Sequence, residues 1–323
     1  MNRMQNHNEQ FFQQALSLLP DGNLINILQR ESFYQFVSKQ SLFLQKIPYL
    51  QEIYINKLTH FSKQNQTIIK NYFSHKINLE YLARKLSQFF FDQNIFIDKM
   101  KVTEGIKYGD QLVEENIRNK LDKLLTPKNK LNILGFGGDT GLYEKNVANY
   151  LIENKYCKEA NIFIIDPFNK QISEGICNLN ESILKGEQNI NFDLIFCRFV
   201  LHHVEPCARW SSFCHLANKL DKCGLLLMLE EGDFSQEVYS LQQMFYQFSL
   251  MTIDLIINMG LRSEWFYSSY PAIGENFYLN YLTYSDLSSI EKEFKFNFEK
   301  FSFTIGDEFL FPLTLLVYKK INI

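Results

Sequence analysis

The sequence predicts an α/β domain with a largely parallel sheet, preceded by an all-helical region, and two features of the chain indicate this. Beyond about residue 126, short apolar runs such as "LNILGF", "NIFIID", "FDLIFCRFVL" and "GLLLMLEE" alternate with helical stretches. Strands that are covered by helices on both faces have this continuous apolar character. Before that point, apolar residues recur at three- and four-residue spacing, as in "LEYLARKLSQFFF", which is typical of amphipathic helices.

The 323 residues are enough for two domains at roughly 100 to 200 residues each. The breaker "TPKNK" separates the two patterns, so we predict a helical domain over residues 1–125 and a sheet domain over residues 126–323. The first domain is a candidate lid over a substrate or a candidate dimerisation surface. Residues 235–285 form a helical, aromatic-rich insertion, whose rings suit either a core or an apolar ligand pocket.

Composition excludes several classes of partner. Lys and Arg total 33 against 36 Asp and Glu, so the chain lacks the basic excess that binding to a nucleic-acid backbone requires. No apolar run approaches the roughly 18 residues of a membrane span, and the start "MNRMQNHNEQ" lacks the apolar core of a signal peptide. We therefore expect a cytoplasmic protein. Its six cysteines include no CxxC pair and are expected to be reduced thiols.

A glycine-rich turn, "GFGGDTG", lies between the apolar run "LNIL" and the helical stretch "LYEKNVANYL". In α/β sheets, ligands bind beyond the carboxyl ends of the strands, and the first strand-to-helix turn is a usual place. Glycine lets the backbone approach a ligand closely, and the helix amides can face a polar group. A tight turn without a ligand is the alternative interpretation. The candidate cofactor-binding residues of this turn are Gly135, Gly137, Gly138, Asp139 and Gly141.

Asp166 ends the second apolar run, in "NIFIIDPFN". It follows the glycine turn at close to the roughly 20-residue spacing of nucleoside-binding fingerprints. A carboxylate accepts two hydrogen bonds side by side, which matches the two hydroxyls of a ribose. The alternative is a polar strand end that begins a turn at "DP".

Taken together, these segments resemble the class I S-adenosylmethionine-dependent methyltransferases, from about Leu131 to Lys320. "ILGFGGDTG" is similar to the glycine-rich motif of that family, "IFIIDP" to its second motif and "FDLIFCRFVLHHV" to its fourth. The last of these separates the chain from nicotinamide-dependent dehydrogenases. The resemblance implies a Rossmann-like seven-stranded sheet, whose last strand, "FPLTLLVYKK", is antiparallel and forms a hairpin with "FEKFSFT".

The resemblance also implies S-adenosylmethionine as the cofactor, with its nucleoside over the glycine turn and its ribose on Asp166. Cys197 and Arg198, at the end of the fourth strand, are expected to line the floor beside the sulfonium. The segment between Asp166 and Asp193 is short, so the crossover must be abbreviated, with "ICNLN" as a brief third strand. Asn178 or Asn180 is the expected neighbour of the adenine.

Two residues of the glycine turn depart from the family pattern. Gly135 stands where an acidic residue commonly precedes the first glycine, and Asp139 stands where a later glycine is usual. Asp139 is therefore a candidate to take over the role of the missing acid.

The paired histidines in "VLHHVEP" follow the fourth strand, and the segment resembles the part of small-molecule O-methyltransferases that supplies a general base. A hydroxyl acceptor must lose its proton, and histidine suits that task. We predict His202 as the base, oriented by Glu230 or Glu231. The alternative is a purely structural histidine pair. The neighbouring cysteines and histidines fit zinc spacing poorly, so no metal site is expected.

The sequence thus predicts methylation of a small, apolar or aromatic acceptor, most simply at oxygen. The two other hypotheses are a methyltransferase-like protein that binds the cofactor or a partner without methylating, and a methyltransferase acting on protein or RNA. The "EPC" segment places Cys207 too far from the strand for cytosine methylation, and no "NPPY"-like signature is present. The N-terminal helices are a candidate surface for a homodimer.

Overall fold

A computed structural model of the chain describes fourteen stretches of it, and the rest lies outside the described residues. The stretches are 11–17, 24–41, 44–45, 47–93, 113–138, 140–166, 173–179, 190–231, 241–261, 282, 287–289, 292, 298–305 and 313–321. The chain forms two compact units. The first comprises Met1–Leu112, Gly232–Tyr284 and Gly306–Pro312, and the second comprises Val113–Glu231, Ser285–Ile305 and Leu313–Ile323.

The described part of the first unit is helical. Besides helical residues 11–17, its helices are α1 (Leu24–Leu28), α2 (Glu31–Gln40), α3 (Pro48–Gln64), α4 (Gln66–Phe73), α5 (Leu79–Asp92) and α8 (Leu241–Leu261). Helix α5 buries one apolar face, which includes Leu82, Leu86 and Phe90. Helix α8 is buried on all sides from residue 244 to residue 253. The last of these helices, α8, follows the fifth strand in sequence, yet it packs with the N-terminal helices.

Aromatic side chains of α8 lie in the core of this first unit. The Phe245 ring centroid lies 4.9 Å from that of Phe33 and 6.2 Å from that of Phe73, and the Phe245 side chain is fully buried. Tyr246 and Phe248 are buried in the same core. Among the aromatic residues that made the insertion a candidate pocket, these three are therefore core residues. The others, including Trp265, Phe266 and Tyr270, lie outside the described residues.

Hydrogen bonds also join α8 to the N-terminal helices. The hydroxyls of Tyr54 and Thr252 lie 3.0 Å apart, and the Tyr72 hydroxyl donates to the Met244 carbonyl at 3.1 Å. Because buried hydroxyls cost free energy when they lack partners, these bonds fix how α8 is placed among its neighbours.

The boundary between the units differs from the one predicted at residue 125. The helical segment 113–124 belongs to the second unit. Its Asp122 carboxylate accepts a hydrogen bond from the Tyr150 hydroxyl at 2.7 Å, and its Leu124 carbonyl accepts one from Lys319 at 3.1 Å. An amphipathic pattern tells which face of a helix is buried but not against which core, so the sequence did not separate this helix from those before it.

The second unit contains the sheet. Its strands are β1 (Lys130–Phe136), β2 (Glu159–Ile165), β3 (Ile176–Asn178), β4 (Phe192–Arg198), β5 (Leu220–Glu231), β6 (Phe298–Ile305) and β7 (Leu313–Lys320). Besides the helical segment 113–124, its long helices are α6 (Leu142–Glu153) and α7 (Pro206–Asn218). All seven strands coincide with runs that the sequence predicted, including the brief third strand.

The sheet has the order β3-β2-β1-β4-β5-β7-β6. The first five strands of this order pair in parallel, whereas β7 is antiparallel to both β5 and β6. The predicted antiparallel last strand and its hairpin are therefore confirmed. Since β1 lies between β2 and β4, the carboxyl ends of these three strands meet at one edge of the sheet, where ligands bind in such folds.

Helices α6 and α7 cover opposite faces of the sheet. Phe196 on β4, Leu227 on β5 and Val317 on β7 are register partners, so their side chains share one face, and Tyr318 lies on the other. Tyr143 of α6 packs edge-on against Phe196, and Phe213 of α7 packs edge-on against Tyr318. The prediction of helices on both faces is confirmed.

At the opposite edge, an ionic cluster joins the amino ends of three strands. Lys128 pairs with Asp193, at the start of β4, and with Asp221, at the start of β5, where the distance is 2.7 Å. Asp193 also accepts a hydrogen bond from the backbone amide of Asn132 in β1 at 2.8 Å.

Two further features concern the described residues as a whole. No helix among them is both long and apolar enough to cross a membrane. All six cysteines are free thiols.

Candidate cofactor and active site

The glycine turn connects β1 directly to α6, as predicted. Gly137 and Gly141 have φ angles of 68° and 75°. These angles lie in the left-handed region, which residues other than glycine rarely adopt. The Gly137 amide donates to the Ile165 carbonyl at 2.8 Å, and the Gly141 amide donates to the Gly138 carbonyl at 2.8 Å. The first bond holds the turn against the end of β2, and the second closes the turn itself. Asp139 lies outside the described residues.

Both glycines are also required by the packing of the chain itself. A Cβ on Gly137 would lie 2.3 Å from Val200 Cγ2, and a Cβ on Gly141 would lie 2.6 Å from Ile176 Cδ1. The glycines therefore admit Val200, which follows β4, and Ile176, which begins β3. Their role in letting the backbone approach a nucleoside stays a prediction.

Glu144 is a candidate site residue that the sequence pattern did not indicate. It lies in the first turn of α6, and its side chain is only 3% exposed. A Cβ on Gly135 would lie 2.5 Å from Glu144 Oε1, and a Cβ on Gly138 would lie 3.4 Å from the same atom. The Glu144 carboxylate thus occupies the inside of the glycine turn. In sequence, an acid in the first turn of a helix indicates only a favourable interaction with the helix dipole.

Asp166 lies beside the glycine turn. Phe136 and Ile165 are register partners at the ends of β1 and β2, so Asp166 follows next to Gly137. Its side chain is partly buried. Asn178 ends β3, where it pairs with Ile164, and its side chain is exposed. Asn178 is therefore one strand further from the turn than Asp166, and Asn180 lies outside the described residues.

Cys197 and Arg198 cannot both line one floor with their side chains, because consecutive strand residues point to opposite faces. Arg198 faces α6, where its guanidinium lies 3.5 Å from the centroid of the Tyr143 ring. Cys197 is 1% exposed, and burial, with a smaller effect of the Glu230 charge, raises the pKa of its thiol well above the usual range. The two side chains therefore lie on opposite faces of the sheet, and which of them lines that floor stays a prediction.

The turn after β4 brings the predicted base to the same edge of the sheet. Val200, which packs against Gly137, is followed by a short 3-10 turn, Leu201–His203. Phe199 has a φ of 53°, and its amide donates to the Leu229 carbonyl at 2.8 Å. A bulky residue in the left-handed region costs about 1–3 kcal/mol, and such strain is often found at functional sites.

His202 and Glu230 form a buried pair. The His202 Nδ1 lies 2.8 Å from Glu230 Oε2, and the two side chains are 1% and 0% exposed. Glu230 Oε1 also accepts hydrogen bonds from the amides of Val200 at 3.0 Å and Leu201 at 2.7 Å. This geometry is that of a histidine oriented by a carboxylate. The side chain of Glu231, the alternative orienting acid, lies outside the described residues.

Burial shifts the pKa of both members of the pair. Burial, with a smaller effect of the Arg209 charge, lowers the pKa of His202 to about 3. Burial raises the pKa of Glu230 to about 7, against which the amides of Leu201 and Val200 lower it. Because two amides and a ring nitrogen converge on Glu230, we assign it as the acceptor and His202 as a neutral ring that donates from Nδ1.

Arg209 fixes the turn from the other side. Its guanidinium donates from Nε to the Val204 carbonyl at 3.0 Å and from a terminal nitrogen to the His202 carbonyl at 3.2 Å. Arg209 is 2% exposed.

Among the described residues, no three His, Cys, Asp or Glu side chains lie close enough together to hold a metal ion.

The strand order, with one antiparallel strand inserted between β5 and β6, decides the fold. The chain has the class I methyltransferase fold. No family model matches the chain, and no curated protein matches it significantly. Solved structures with methyltransferase names do match, at low similarity.

Three of these solved methyltransferases illustrate that similarity. An O-methyltransferase family protein from Burkholderia thailandensis is 11% identical over 59% of this chain and 51% of its own, with a TM-score of 0.40. The N-methyltransferase NodS from Bradyrhizobium japonicum is 13% identical over 68% and 88%, with a TM-score of 0.38. Human N-acetylserotonin methyltransferase is 12% identical over 59% and 48%, with a TM-score of 0.37. The chain spans about half the length of the first and third proteins, and these scores carry no functional argument.

Proposed function

We propose that this chain is an S-adenosylmethionine-dependent methyltransferase that acts on a small acceptor, with oxygen as the accepting atom. One observation carries the proposal: Asp166 lies in register beside Gly137 at the carboxyl ends of β1 and β2, where the glycine turn leads straight into α6. A carboxylate at that place suits the two ribose hydroxyls, and the amides at the start of a helix suit the carboxylate of an amino acid.

The residues present fit the cofactor. Asp166 would hold the ribose, and the turn from Gly137 to Gly141 would lie against the nucleoside. Arg198, on the α6 face, would line the floor. The bound cofactor supplies an activated methyl group on its sulfonium, and alignment of the acceptor with that group does much of the catalysis.

His202 is the proposed base for a hydroxyl acceptor. The Glu230 carboxylate fixes the ring through Nδ1, which leaves Nε2 as the nitrogen that can take a proton, and the same carboxylate would stabilise the resulting charge. The turn that carries His202 packs on the glycine turn through Val200 and Gly137. Because the ring is 1% exposed, an acceptor reaches Nε2 only when the groups that cover it move aside.

The second candidate is a methyltransferase-like protein that binds the nucleoside or a partner without transferring a methyl group. The structural role of Glu230 favours it, since this carboxylate also holds the amides of Val200 and Leu201. The low pKa of His202 also favours this second candidate, because a general base works best when its pKa is near the working pH. A protein or RNA acceptor and dimerisation through the N-terminal helices remain predictions.

A binding titration tests the cofactor site. We expect wild-type protein to bind S-adenosylmethionine and S-adenosylhomocysteine, and Asp166→Asn to raise both dissociation constants about 10- to 100-fold, because hydrogen bonds to a charged group contribute about 1.5–3 kcal/mol. Isothermal titration calorimetry measures both constants. Asp221→Asn is the matched control, since it makes the same change at the opposite edge of the sheet and should leave binding unaltered.

The proposal is wrong if wild-type protein binds neither compound, or if Asp166→Asn binds both as tightly as wild type does. If binding holds, a screen of small hydroxyl and amine compounds, read by the mass gain of one methyl group, then separates an enzyme from a binding protein and identifies the accepting atom.

A further inference from the structure

Glu144, in the first turn of α6, combines two properties that its position in the helix does not by itself require. It is buried, and its carboxylate lies inside the turn that the nucleoside is proposed to contact. Burying a carboxylate is costly unless positive charge or several hydrogen-bond donors compensate it. Compensating groups, from the chain or from a ligand, are therefore expected around the Glu144 carboxylate.

Gly135 is explained by the same carboxylate. It lies within β1, where it pairs with Ile164 and Phe196, and its φ is not in the left-handed region. No conformational need for glycine therefore exists at this position. The nearest atoms to a Cβ on Gly135 all belong to Glu144, at 2.5, 2.6 and 3.1 Å. The absence of a side chain at 135 is what gives the Glu144 carboxylate its space.

We propose that Glu144 supplies the negative charge that holds the ammonium group at the amino-acid end of S-adenosylmethionine. This inference rests on the proposed function. The amino-acid end carries one carboxylate and one ammonium group: the amides at the start of α6 suit the first, and a carboxylate inside the same turn suits the second. Gly135 and Glu144 thus act as one unit, in which the acid reaches the turn from the helix instead of from β1.

Two nucleosides test the inference separately from the proposed function. S-adenosylhomocysteine carries the amino-acid end, whereas 5′-methylthioadenosine lacks it. We expect Glu144→Gln to weaken binding of S-adenosylhomocysteine about 10-fold or more, because a charged hydrogen-bond partner is lost, and to leave binding of 5′-methylthioadenosine unchanged. Calorimetric titration of both compounds against wild type and variant gives the four constants.

A relocated acid provides the second variant. In Glu144→Ala combined with Gly135→Asp, alanine vacates the space that Glu144 Oε1 occupies, and aspartate brings a carboxylate to the same place from β1. We expect this pair of changes to restore affinity for S-adenosylhomocysteine to within about threefold of wild type, whereas Glu144→Ala alone should behave as Glu144→Gln. Such rescue shows that the charge, and not the packing of Glu144, is what matters.

Two results would overturn the inference while leaving the proposed function intact. One is a Glu144→Gln variant that binds S-adenosylhomocysteine as wild type does. The other is an equal loss of affinity for both nucleosides, which would show that Glu144 only supports the fold of the turn. A wild-type protein that binds neither nucleoside would instead contradict the proposed function and the inference together.

Discussion

Replacing His202 by asparagine is expected to lower kcat for a hydroxyl acceptor by about 10²-fold or more, because the loss of a general base typically costs that much. Asparagine is the informative change. Its side-chain nitrogen can take the place of Nδ1 and keep the hydrogen bond to Glu230, now 2.8 Å long, but it offers nothing in place of Nε2. Steady-state kinetics with the acceptor from the screen measure the effect, and the melting temperature should change little.

His203→Asn provides the matched control for this prediction. The two imidazole rings lie 4.0 Å apart, so the same substitution is made at the adjacent position and leaves the bond between His202 and Glu230 in place. We expect its kcat to stay within about threefold of wild type. If His202→Asn is equally active, His202 is not the base, and the pair with Glu230 serves the turn after β4. A fall in activity that tracks a fall in melting temperature would support the same conclusion.

Replacing Phe245 by alanine is expected to lower the free energy of unfolding by about 3–5 kcal/mol, the usual cost of removing a fully buried phenylalanine. Phe245 is fully buried, and its ring lies within 6.2 Å of the rings of Phe11, Phe12, Phe33 and Phe73. Urea unfolding followed by circular dichroism measures the change. The expectation follows from the assignment of α8 to the core of the first unit.

Phe91→Ala serves as the comparison, because Phe91 lies at the end of α5 in the same unit but is 40% exposed. We expect it to change the free energy of unfolding by about 0.5 kcal/mol or less. A small effect of Phe245→Ala would mean that the aromatic residues of α8 do not form a core, and it would return them to the status of candidate pocket residues.

Much of the sheet could be predicted from the sequence, because its signals are local. Continuous apolar runs predicted β1, β2, β4, β5 and β7, and the short separation of Asp166 from Asp193 predicted a brief β3. The sequence was less informative about which helices and strands pack against one another. Whether segment 113–124 or α8 packs on the sheet or on the N-terminal helices depends on contacts between residues distant in sequence, and amphipathic spacing carries no such information.

The candidate site could be predicted only in part, for similar reasons. The strand ends and the family resemblance led to Asp166, His202 and Glu230, and the structure brings the last two into direct contact. Alternation along β4 separates Cys197 from Arg198, a distinction that was already readable from the sequence. The candidate role of Glu144 could not be predicted from the sequence, because it depends on the absence of a side chain at Gly135, nine residues earlier in the chain.

The most direct test of the central claim is a crystal structure of the protein grown with S-adenosylhomocysteine. We expect the nucleoside to lie over the turn from Gly137 to Gly141, with both ribose hydroxyls hydrogen-bonded to the Asp166 carboxylate. A nucleoside bound at another place, or a ribose that Asp166 does not contact, would contradict it.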